Sequence, residues 1–206
     1  MSDYNNHRFL KRTLDDLRNG CKITIVCFGD SITAGYGVRK GFPYFWKELL
    51  QKKYPDAIIE LINSGVSGDT TLDGIARLDW TVLFYQPDLV TINFGINDAA
   101  MGLGISEFKA NLKEIILRIF EGAGSDVLLL SSQPLETPNY DGLVLKYYKA
   151  IACVADEMNI VFVDVHKAWM RHINKGIPLS ALILQGLDHP NEDGYRIIAE
   201  EIMKFF

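Results

Sequence analysis

Long apolar runs are missing from this 206-residue chain. None approaches the roughly 18 residues that a membrane helix needs, so no span is expected. Residues 1–19 are polar and mixed in charge, without the apolar stretch of a secretory leader. Basic clusters are missing too: the formal net charge is −5, which argues against a nucleic-acid partner. Cysteine is scarce. Cys21, Cys27 and Cys153 are odd in number and lack metal-ligand spacing, so they read as reduced thiols of a cytoplasmic protein. Cys27, inside an expected strand, reads as inert. No Pro/Gly/Ser-rich linker, internal repeat or low-complexity tract divides the chain. Residues 1–206 therefore read as a single domain, with 1–20 as a helical extension packed on it.

The chain does have apolar residues in quantity, 48% of the total, enough for one sizeable core. Short apolar runs at 23–28, 58–62, 89–94, 127–130 and 160–163 read as strands, the first of them, β-branched and aromatic, as a buried one. Between them lie segments of helical period: 7–19, 42–54 with Pro43 in its first turn, and a short helix after Gly68. Others are 106–120 capped by Ser106, 143–158, and 192–206 capped by Asn191. Strands alternating with helices imply a parallel sheet covered on both faces. The expected architecture is a three-layer α/β/α, flavodoxin-like fold with five strands. Residues 132–141, with Pro134 and Pro138, read as a loop at a strand's carboxyl end, either a substrate-contacting loop or a plain connector.

Polar, glycine-marked segments follow the strands. Gly29-Asp30-Ser31 closes the first, Asn63-Ser64-Gly65 through Gly68-Asp69-Thr70 the second, and Gly95-Ile96-Asn97-Asp98 the third. His189-Pro190-Asn191 opens the last helix. Ligands of open α/β sheets bind at the carboxyl ends of strands. A serine there becomes a nucleophile where a histidine can reach it, because the imidazole takes the hydroxyl proton and passes it to the leaving group. Each piece alone has a plainer reading. Ser31 and Asn97 are good capping residues, Gly68 suits a left-handed turn, and His189 precedes a capped helix. The joint order of the four segments points to a serine hydrolase.

In these four segments the sequence resembles the GDSL lipase/esterase family, also called SGNH hydrolases. Gly29-Asp30-Ser31-Ile32 stands for G-D-S-L, the segment around Gly68 for the glycine block, Gly95-Ile96-Asn97-Asp98 for G-x-N-D, and His189 for the histidine of D-x-x-H. The resemblance implies that Ser31 is the nucleophile and His189 the general base. It implies that Gly68 and Asn97, with the backbone of Ser31, form the oxyanion hole. It also implies an acyl-enzyme route that uses no cofactor or metal, and a small-molecule ester as substrate. Alcohols within its range are a sugar, an aryl alcohol, a lysophospholipid or a thiol. Tyr36, Phe42 and Trp46 then stand either as walls of an acyl pocket or as core.

One position departs from the family. Its aspartate three residues before the histidine is replaced by Gly186, and the nearest carboxylate is Asp188, beside His189. Asp188, Asp164 or a backbone carbonyl are the alternatives for orienting the imidazole. This departure lends weight to a non-enzymatic binding module on the same fold as a rival reading. Asp30 and Asp98 read as braces of the loop backbone, against a second alternative in which they bind Mg²⁺. His166 and His172 lack the spacing of a paired metal site and read as packing or surface residues.

Overall fold

The computed structural model describes residues 10–206; the start of the helix expected from residue 7 lies outside them. Five strands, β1 (Lys22–Gly29), β2 (Ile58–Gly65), β3 (Leu89–Asn93), β4 (Asp126–Leu130) and β5 (Val161–Val163), form one sheet. All pairings are parallel and the order is β2-β1-β3-β4-β5. The chain steps one way from β1 to β2 and the other way from β3 onward, which leaves a switch point between β1 and β3.

The helices are α1 (Lys11–Arg18), α2 (Ser31–Ala34), α3 (Phe42–Lys53), α4 (Thr71–Thr81) and α5 (Ile96–Ala100), followed by α6 (Ile105–Ala123), α7 (Pro138–Met158), α8 (Val165–Ile173) and α9 (Glu192–Met203). Strand period 2 sorts the core into two layers. Ile23, Ile25 and Cys27 of β1 join Phe45, Trp46 and Leu50 of α3 and Ile198 and Ile202 of α9 on one face. Val26 and Phe28 join Leu78 of α4, Ile115 and Ile119 of α6 and Ile151 of α7 on the other. The three-layer α/β/α architecture follows. On α1, buried Leu14 and Leu17 pack into the first layer. Thr13 bonds Asp126 at the start of β4.

Two helix starts differ from expectation. Gly104, not Ser106, precedes α6. Residues 132–141 are only partly loop, because α7 begins at Pro138, five residues before the expected start. Proline at the first helical position loses no hydrogen bond, so the polar residues after it continue as helix without an apolar stripe.

Candidate active site

β1 delivers Asp30 and Ser31 to the switch point. The Asp30 carboxylate accepts from Ile32 N–H at 2.9 Å and so caps α2, whose first residue is Ser31. His189 arrives from the opposite end of the chain. Its loop is held by an antiparallel bridge between Ile183 and Pro190. Asn191 fixes it further, accepting from Asp193 and Gly194 N–H at 3.0 Å each and donating to the Ala181 carbonyl at 2.8 Å. These anchors place His189 Nε2 2.8 Å from Ser31 Oγ. The ring is half-buried, and desolvation lowers its pKa from the usual 6.5. The Leu187 carbonyl and the Asp188 charge pull the other way but do not overcome burial. A neutral imidazole facing a serine hydroxyl is the state a general base requires.

Parallel pairing sets Gly29 opposite Gly65 on β2 and opposite Asn93 on β3, so the Gly68 and Asn97 segments flank Ser31. Gly68 has φ +89°, a left-handed conformation that a side chain would strain. Among the described residues, neither the Ser31 nor the Gly68 backbone N–H has a protein acceptor. Asn97 lies in the first turn of α5, and its Nδ2 donates to the Asp69 carbonyl at 2.9 Å. An amide nitrogen carries two hydrogens, so this bond fixes the group and leaves one donor over. Asp98 is fully buried and accepts from Thr71 N–H at 2.9 Å and Thr71 Oγ1 at 2.6 Å, which ties α5 to α4.

Residues 27–197 match the model of the GDSL-like Lipase/Acylhydrolase family. The chain belongs to that family. An arylesterase of Vibrio mimicus is 34% identical over 56% of each chain. Esterase TesA of Pseudomonas aeruginosa is 33% identical over 63% of this chain and 65% of its own. The chain thus matches less than two thirds of either relative's length. An acetylxylan esterase of Geobacillus stearothermophilus is 26% identical over 80% of both chains. A crystal structure of that enzyme covers 89% of this chain and 93% of its own, at a TM-score of 0.78 and 25% identity. Its catalytic mutants replace a serine, an aspartate and a histidine by alanine, the aspartate three positions before the histidine.

Against that family spacing, Gly186 holds no carboxylate, and the geometry does not hand the role to Asp188. Asp188 Oδ1 accepts from the Glu136 backbone N–H at 2.8 Å, and its carbonyl accepts from Gln133 Nε2 at 2.8 Å. Among the described residues the buried His189 Nδ1 has no hydrogen-bond partner, although the Leu187 carbonyl lies beside the ring. The reason is local: consecutive side chains do not point the same way, so the carboxylate next to His189 turns to the segment after β4. Asp164 is also engaged elsewhere, capping α8 through Lys167 N–H at 2.9 Å. Asp188→Asn is therefore expected to reduce turnover by less than about tenfold, since the amide oxygen still accepts from Glu136 and no imidazole tautomer depends on it. Steady-state kinetics check this. A loss on the order of 10⁴, the size seen when an orienting aspartate is neutralised, would return Asp188 to the imidazole.

Phe42 and Trp46 are fully buried in the core. Tyr36 is different: it is 47% exposed, with its ring centroid 5.0 Å from that of His189. His166 stands on α8 beside Tyr148, 3.8 Å from Asp141, and His172 lies in the last turn of the same helix. Among the described residues no group of three or more His, Cys, Asp or Glu could hold a metal ion. Nor is any described helix long and apolar enough to cross a membrane. Gln133, Glu136 and Tyr140 belong to no motif in the sequence, yet they make residues 132–141 a brace for the site. Tyr140 donates to the Ile96 carbonyl at 3.0 Å, next to Asn97.

Proposed function

We propose that this protein hydrolyses small carboxylic esters through an acyl-enzyme on Ser31, with His189 as general base and acid and no cofactor. The observation that carries the reading is the 2.8 Å contact between Ser31 Oγ and His189 Nε2, set beside two unengaged backbone N–H groups and the Asn97 amide. Oγ attacks the ester carbonyl while Nε2 takes its proton. The carbonyl oxygen gains negative charge, which the N–H groups of Ser31 and Gly68 and the spare hydrogen of Asn97 Nδ2 stabilise. The carbon–oxygen bond to the alcohol then breaks as the imidazolium protonates the departing oxygen. Water, deprotonated by the same imidazole, attacks the acyl-serine and releases the acid.

The proton must reach the leaving oxygen from Nε2, so the alcohol lies on the His189 side of the site. Tyr36 flanks that ring and offers an exposed aromatic face to an aryl or sugar alcohol. This fits relatives named arylesterase and acetylxylan esterase. Among the described residues no inserted domain forms a lid, which favours a short acyl group over long lipid chains. The three free cysteines fit a cytoplasmic setting. The unpartnered Nδ1 supports a second, weaker reading: a slow or inactive member that binds an acyl or carbohydrate ligand in the same cleft.

Hydrolysis of p-nitrophenyl esters of increasing acyl length tests the proposal. The expected result is a maximum of kcat/KM at acetate or butyrate. A rate that climbs steadily to dodecanoate would overturn the short-acyl assignment, and no hydrolysis of any ester would leave the binding reading.

The same assay carries a pH prediction. Burial lowers the His189 pKa from 6.5, so the base stays neutral to lower pH than a free imidazole. The acid limb of kcat/KM is therefore expected below pH ~6.5, the ordinary histidine value. A limb at or above pH 7 would contradict the assignment of the base.

A further inference from the structure

One guanidinium sits behind the site and binds two of the three segments that form its oxyanion side, the end of β1 and the stretch from Ser64 to Asp69. Arg77, on α4, is largely buried, and its face lies 4.5 Å from the Phe28 ring centre. Its Nε donates to Asp69 Oδ2 at 2.6 Å. Nη1 donates to the Ser64 carbonyl at 2.9 Å, with Ser64 Oγ at 3.1 Å and Thr81 Oγ1 at 3.2 Å. Nη2 donates to the Gly29 carbonyl at 2.9 Å.

These acceptors are not scattered. Gly29 is the last residue of β1 and lies two positions before Ser31. Ser64 is the penultimate residue of β2, just before the turn that carries Gly68. Asp69 follows Gly68, and its own carbonyl receives the Asn97 amide. A chain of two bonds, Arg77 to the Asp69 carboxylate and Asn97 to the Asp69 carbonyl, therefore joins the guanidinium to two of the three donors assigned to the oxyanion.

We propose that Arg77 is a positioning residue for the oxyanion hole, holding the Gly68–Asp69 turn against the ends of β1 and β2 through Asp69. The inference rests on the esterase reading above. Donors stabilise the oxyanion only when they reach it at about 2.7–3.1 Å. A shift of ~1 Å in such a site can lower the rate about 10²-fold. Lysine cannot replace the arrangement, because one ammonium lacks the planar fork that meets Asp69, Ser64 and Gly29 from a single plane.

The test compares wild type, Arg77→Lys, Asp69→Asn and the double variant on p-nitrophenyl acetate, with thermal melting of each. Arg77→Lys is expected to lower kcat about 10–100-fold while KM changes less than about threefold, because the misplaced donors serve the transition state. Asp69→Asn is expected to lower kcat by a smaller factor. The double variant should match Arg77→Lys alone, since both changes break one linkage. A lower melting temperature with kcat per folded molecule unchanged makes Arg77 a structural residue and overturns the inference. So does full additivity of the two changes. Should Arg77→Lys fail to fold, Asp69→Asn decides: unchanged kcat overturns the inference. Wild-type protein without Ser31-dependent hydrolysis overturns the esterase reading itself, a distinct outcome.

Discussion

Ser31→Ala is expected to abolish ester hydrolysis and leave the fold intact. Alanine fits the space of serine at the first position of a short helix whose cap is Asp30, not Ser31. What disappears is the atom that His189 Nε2 contacts at 2.8 Å. In triads where nucleophile and base act as a unit, removing either lowers turnover on the order of 10⁶-fold. His189→Ala is therefore expected to be about as damaging, and the double variant no worse than either single one. Kinetics on p-nitrophenyl acetate, with circular dichroism as the folding control, measure both. A Ser31→Ala protein of near wild-type turnover would remove the nucleophile from the account. A mild effect of His189→Ala would move the base role elsewhere.

Asn97→Ala carries the next largest expected loss, about 10²–10³-fold in kcat. Its amide meets charge that exists only once the tetrahedral intermediate forms, so kcat and kcat/KM are expected to fall together with KM nearly unchanged. Part of the loss arises indirectly, because the same nitrogen holds the Asp69 carbonyl and thereby the Gly68 turn. A raised KM with unchanged kcat would show instead that Asn97 only positions substrate.

The sheet was readable because its strands are short apolar runs set between helical segments, and each expected run overlaps an observed strand. The small helices α2 and α5 were not readable as helices. They span four and five residues, too few for a 3.6-residue period to show, and their residues announce chemistry before structure. Ser31, Gly68, Asn97 and His189 stood out because each carries a special chemical type at a strand end or helix start. Arg77 did not. In Thr71–Thr81 a lone arginine at helical spacing looks like a solvated charge, and its burial depends on where β1 and β2 end. Asp188 was misleading for a related reason. Its partner is the backbone N–H of Glu136, a group that every non-proline residue has and no sequence motif can mark.

Reaction with a fluorophosphonate, followed by peptide mapping, tests the central claim most directly, because only a serine activated by its surroundings reacts at a useful rate. A single adduct is expected on the peptide that contains Ser31, lost in His189→Ala and unaffected by Asp188→Asn. An unlabelled wild-type protein, or an adduct at another residue, would contradict it.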